Sequence, residues 1–131
     1  MKEYKFRGKR IDNGEWVYGF VLETKMSGVY IIGTKMKSKG RNDGAVIKDE
    51  LWQYEVIPET VGQYVGLTDK NRQEIYEGDI VKTGWQGEVK GYVVFEGYSY
   101  LVKDSNNKNL YFNHPERYEV IGNIHNKEES T

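Results

Sequence analysis

Cysteine is missing from the chain altogether. Disulfides, thiolate metal sites and a redox role are therefore excluded, and a reducing cytoplasm suits it. Proline is scarce, with two residues in 131. The longest apolar stretches, such as Val29–Ile32, fall far short of the roughly 20 residues that cross a bilayer, so no membrane partner is expected. The opening MKEYKFRGKR interrupts its apolar residues with charge and lacks the apolar run of a signal peptide. Nor is either sign of charge in excess: 19 basic against 20 acidic side chains give −1. Residues 1–60 carry 11 basic and 9 acidic groups, or +2, and the remainder 8 and 11, or −3. So small an asymmetry produces no strong long-range field, and a charged partner must be held by local patches.

What is present is aromatic and small: eleven tyrosines, four phenylalanines, three tryptophans and 15 glycines. That mixture suits strands joined by tight turns. A period of two begins at Glu15, with Trp16, Tyr18, Phe20 and Leu22 on one face and Val17, Gly19 and Val21 on the other. The aromatic set alternates as core residues do. Asp12-Asn13-Gly14 predicts a hairpin turn back to a first strand over Tyr4–Arg10, and a turn at Lys25–Ser27 pairs Gly28–Thr34 with its predecessor. Further strands are expected over Gln53–Ile57, Gln63–Leu67, Asp79–Thr83, Gly87–Glu96, Ser99–Lys103, Asn109–Phe112 and Tyr118–Ile124. A turn or two of helix is expected near Lys70–Tyr76, and the polar segment Lys35–Gly44 argues for an exposed, mobile loop.

The fold class is therefore mainly β: small barrel-like or strongly curled antiparallel sheets with at most one or two short helical turns. The chain forms one β domain over residues 1–125, with a polar, disordered tail at 126–131. An internal echo divides that domain. Tyr54-Glu55-Val56-Ile57 recurs as Tyr118-Glu119-Val120-Ile121, and Gly14-Glu15 as Gly87-Glu88. Two related units, 1–60 and 61–125, account for it, as does chance similarity among Tyr- and Val-rich strands.

The stretch TVGQYVGLTDKNRQEIYEGDIVK at 60–82 resembles the signature block of the YopX family of phage and prophage proteins, through Gly66, Leu67, Asp69, Ile75, Tyr76, Glu77, Gly78, Asp79, Ile80 and Val81. The opening Lys5-Phe6-Arg7 with Trp16–Gly19, and the closing Glu119–Ile124, are similar to the family's two ends. Arg72 departs from the pattern, since the family usually carries glycine there, and it fits only where the turn needs no positive φ. The resemblance implies a mostly-β fold, a phage or prophage origin and a bacterial cytoplasm, with no established activity.

The residues themselves offer little chemistry. Asp69, Glu74, Glu77 and Asp79 invite a metal or carboxylate-pair reading, but as a calcium loop they place Glu74 where glycine is required and Ile80 where glutamate is. Glu77-Gly78-Asp79 reads better as a turn entering a buried strand, its acid accepting backbone N–H groups. His114 and His125 without cysteines make a poor metal site, and Ser99, His114 and Asp104 lack any nucleophile turn. No glycine-rich phosphate cradle is present. The sequence thus points to no catalytic residue, no metal and no cofactor. A nucleic-acid contact is conceivable through Lys35, Lys37, Lys39 and Arg41, with Lys2, Lys5, Arg7, Lys9 and Arg10 as a second basic run and Trp16, Tyr18 and Tyr30 as stacking rings. Against it stands a host or phage protein as partner, or a second copy of the chain, docked on strand edges or tyrosine-rich faces. The expectation is a non-catalytic phage accessory protein that binds protein, with nucleic-acid binding as the alternative and a carboxylate enzyme behind both.

Overall fold

The computed structural model describes residues 5–36, 49–84, 89–106, 108–111 and 114–126. These divide into two compact units, one within residues 5–61 and the other within residues 62–126. Among the described residues the regular structure is strand, broken only by single 3-10 turns at Pro58–Thr60 and Pro115–Arg117. Each turn begins on a proline, whose fixed φ and missing N–H suit a first helical position.

The first unit is a meander of β1 (Phe6–Lys9), β2 (Trp16–Thr24), β3 (Gly28–Met36) and β4 (Asp49–Val56), each antiparallel to the next. The Asp12–Gly14 turn closes as its composition demands: Gly14 has φ +75°, and the Asn13 Oδ1 accepts the Glu15 N–H at 2.9 Å. The meander curls until its outer strands meet at one bridge, Arg10 with Val56. Ile57 donates to the Lys9 carbonyl there, at 2.9 Å. Thr60 fastens the corner, its Oγ1 accepting the Lys9 N–H at 2.9 Å and donating to the Ile57 carbonyl at 2.6 Å. On the inner face Ile31 and Val56 are fully buried. A Cβ on Gly8 would stand 3.0 Å from Val56, so glycine is what lets β1 and β4 approach.

The second unit contains β5 (Gly62–Thr68), β6 (Glu74–Tyr76), β7 (Asp79–Thr83), β8 (Val89–Glu96), β9 (Ser99–Asp104), β10 (Asn109–Tyr111) and β11 (Glu119–Asn123). Five of them form a sheet in the order β10-β9-β8-β7-β11, while β5 pairs with β6. Alternation along β7 and β8 sends Val81 and Val93 inward, where they join Ile75, Val102 and Tyr118 in the core. β11 returns beside β7 with a bulge between Val120 and Gly122.

The mainly-β class and curled antiparallel sheets are thus observed, but neither sheet closes into a barrel. Lys70–Tyr76 is not helical: it is a hairpin turn followed by β6, because Arg72 sits at φ +64° and ends any right-handed run. β4 begins at Asp49, four residues before the expected Gln53, and β3 runs on through Lys35 to Met36. The rest of the segment read as a mobile loop lies outside the described residues, as do Gly87-Glu88 of the echo and all of the tail but Asn126. The halves of the other echo sit differently: Tyr54–Val56 ends β4 ahead of a 3-10 turn, whereas Glu119–Ile121 follows one into β11.

Candidate functional site

Two regions compete for a functional reading, and local geometry separates them. The first is the acidic signature. Asp69 is 3 % exposed, and both of its oxygens are committed. Oδ1 accepts the N–H groups of Asn71 (2.8 Å) and Gln73 (2.9 Å), which shapes the β5–β6 turn. Oδ2 accepts the N–H of Val120 at 2.9 Å, 51 residues away. Asp69 also bonds through its backbone, with its N–H to the Gln73 carbonyl and its carbonyl to the Arg72 N–H. That is a type I turn closed by a left-handed residue, and Arg72 supplies the left-handed φ. The expectation that Arg72 needs a turn free of positive φ is overturned.

The neighbouring acids are spent in the same way. Asp79 is buried, and its Oδ2 accepts the Tyr76 N–H at 2.8 Å. Glu77 accepts the Gln63 N–H at 3.1 Å, and Glu74 the Tyr76 hydroxyl at 3.0 Å. Between them Gly78, at φ +90°, donates to the Val93 carbonyl at 2.8 Å and accepts from the Ile124 N–H at 2.9 Å. It thereby ties the crossing from β6 to β7 to both β8 and the end of β11. Ile75 and Tyr76 are both buried, Ile75 in the core of the second unit, while Leu67 is exposed and Gly66, at φ +92°, sits in the irregular stretch of the β5–β6 ladder. Among the described residues no three His, Cys, Asp or Glu side chains converge to hold a metal ion. Ser99 and Asp104 stand at opposite ends of β9, about 17 Å apart by strand rise. His114 lies instead beside Glu116, with Nδ1 3.3 Å from Oε1.

Ionisation follows the same pattern. Burial pushes the Tyr100 hydroxyl above its ordinary value, with Glu77 adding to the rise, and burial alone does so for Tyr118. The Arg10 side chain, hydrogen-bonded to Asp12 at 2.6 and 2.9 Å, holds that exposed carboxyl below its usual range.

The second region is the outward face of the first unit. Cross-strand pairs share a face, and the register places Arg7 beside Tyr18, Lys9 beside Trp16, Phe20 beside Ile32 and Leu22 beside Tyr30. On this face Phe20 is 59 % exposed, Tyr18 47 % and Leu22 43 %. Tyr30 and Ile32 continue the surface half-buried, and Leu51 of β4, opposite Thr34, extends it at 78 % exposure. The alternation along β2 is as read, but its sidedness is reversed. Val17, Gly19 and Val21 line the inside of the curl and the aromatics point out. The tight curl leaves little interior volume: side chains on Gly19 and Gly33 would collide with the Ile32 carbonyl and the Trp52 ring.

The basic residues bordering this face are engaged. The Arg7 guanidinium lies 4.8 Å from the Trp16 ring centroid and is buried, with the Lys9 ammonium 6.0 Å from the same ring. On the opposite face, which register assigns to Arg10 and Tyr54, Arg10 stacks on the Tyr54 ring at 3.9 Å. Of the four residues read as nucleic-acid contacts, Lys35 belongs to β3 opposite Glu50, while Lys37, Lys39 and Arg41 lie outside the described residues. The exposed β2 face was missed as a site because alternation gives two faces without saying which is wet. The glycines at 8, 19 and 33 were the signal that could have found it.

Residues 5–129 match the model of the family described as YopX protein. Among solved structures, the chain is similar to the crystal structure of protein EF1440 from Enterococcus faecalis, with a TM-score of 0.61 and 22 % identity over 99 % of each chain. Among curated proteins none matches.

Proposed function

The chain belongs to the YopX family, and on that footing we propose that it is a non-catalytic protein-binding module of phage or prophage origin that works in the bacterial cytoplasm. Its partner, a host or phage protein, docks on the outward face of β2 and β3. The observation that carries this reading is the exposure of Tyr18, Phe20, Leu22 and Leu51 on one face of the meander. Large apolar patches on soluble proteins mark contact surfaces, and aromatic side chains supply most of the anchoring energy in protein interfaces. The acidic signature supports the non-catalytic half, because its carboxylates serve backbone donors at short range. Nucleic acid is less well supported on this face. Arg7 is buried against Trp16, and the β4 side of the surface carries Gln53 and Glu55 rather than cations.

A triple substitution, Tyr18→Ser with Phe20→Ser and Leu22→Ser, tests the assignment. Exposed positions tolerate polar replacement, so the thermal midpoint should move little. Immobilised wild-type protein should retain a stoichiometric partner from host lysate that the variant loses. Equal retention by both would remove the face from consideration. Saturable, salt-sensitive binding of labelled single-stranded DNA that the variant abolishes would replace protein with nucleic acid as the ligand.

A further inference from the structure

We propose that the open end of the β8–β9–β10 sheet is a binding site for a phosphate group. A cleft of about 440 Å³ lies there, lined by Val89, Lys90, Asp104, Ser105, Lys108 and Leu110. That volume is in the range of small-molecule sites, about 300 to 1,000 Å³. Half-buried Val89 and Leu110 give it an apolar wall, and two ammonium groups and a hydroxyl give it donors.

The one carboxylate in the lining does not account for the lysines. Asp104 uses Oδ1 to accept the N–H groups of Asn106 and Lys108, each at 2.9 Å, and so holds the β9–β10 turn. Among the described residues neither ammonium lies within ion-pair distance of it. On the other side, register sets Lys90 directly opposite Lys82 of β7, both on the exposed face. Like charges so placed repel and destabilise the ladder. Glu119 is the other cross-strand neighbour of Lys82, but its Oε1 lies 3.9 Å from the Lys70 ammonium. Lys70 and Lys103 thus have acidic partners, whereas Lys82, Lys90 and Lys108 have no ion pair among the described residues.

Three lysines without an ion pair among the described residues, with Asp104 as the one carboxylate beside them, therefore gather at one end of a half-chain whose net charge is −3. A phosphate group there relieves the repulsion between Lys82 and Lys90 and accepts from Lys90, Lys108 and the Ser105 hydroxyl. The apolar wall takes the body that carries it, whether a phosphomonoester or the sugar and base of a polynucleotide.

The test is an amide-resolved NMR titration of the full chain with inorganic phosphate, phenyl phosphate and a single-stranded oligonucleotide, at two salt concentrations. Saturable shifts confined to residues 89–90, 104–106 and 108–110 are expected, with phenyl phosphate bound about tenfold more tightly than inorganic phosphate. Lys90→Gln with Lys108→Gln should weaken binding about tenfold or more, and Lys25→Gln, in the other unit, should leave it unchanged. Tight oligonucleotide binding at the same amides, with a steep salt dependence, identifies a polynucleotide as the source of the phosphate; phenyl phosphate alone identifies a small molecule. No saturable shift with any ligand, or equal weakening by Lys25→Gln, overturns the site.

Discussion

At the scale of single residues, Asp69 and Arg72 decide the signature turn. Asp69 accepts three backbone N–H bonds while almost fully buried. Replacing it with alanine leaves three donors without their acceptor, and bonds to a charged group are each worth about 1.5 to 3 kcal/mol. Asp69→Ala should therefore lower unfolding free energy in urea by about 3 kcal/mol or more, and a loss below about 1 kcal/mol would show that the turn is held elsewhere. Arg72 points the other way. Its φ of +64° costs a side-chain-bearing residue roughly 1 kcal/mol that glycine avoids. Arg72→Gly should raise the urea midpoint by the equivalent of about 1 kcal/mol. The sequence exposed the substitution as a departure from the family pattern, but the sign of φ was set by the hydrogen bonds that Asp69 makes on either side of it.

At the scale of elements, strand positions were legible and sidedness was not. Period-two alternation located β2, β3, β7, β8 and β9 close to their observed places. β6 escaped notice because three residues are too few to show a period. On β2 the bulkier set was read as core, yet the curl turned it outward and left the smaller set half-buried on the inside. Close strand approach makes glycine positions within elements sensitive. A Cβ on Gly91 would collide with the Lys103 carbonyl oxygen and crowd Val102. Gly91→Ala should therefore destabilise the second unit by about 2 kcal/mol, whereas alanine at exposed Gly84, with open space around it, should cost far less. Equal effects in thermal unfolding would count against the packing of β8 on β9.

For the molecule as a whole, alkaline stability follows from two tyrosines, Tyr118 buried and Tyr100 half-buried. Burial raises the pKa of Tyr100 and Tyr118 above the unfolded value, so the folded state holds those protons longer than the unfolded one does. Their contribution is intact below the ordinary tyrosine value, near 10, and is lost as the pH climbs through the raised folded values. Unfolding free energy measured in urea should thus fall above about pH 10, and Tyr118→Phe should make the fall shallower. A flat profile from pH 9 to 11 would contradict the burial of these hydroxyls. The sequence alone determined the mainly-β class, the turn positions and the family, because these rest on local period, on glycine and asparagine at turns, and on a contiguous motif. Tertiary structure decided which face of β2 is wet, where each signature carboxylate spends its lone pairs, and that lysines without an ion pair among the described residues meet at one sheet end. Those outcomes depend on curl, on a hydrogen bond between residues 69 and 120, and on cross-strand register, each joining positions that sequence proximity does not bring together.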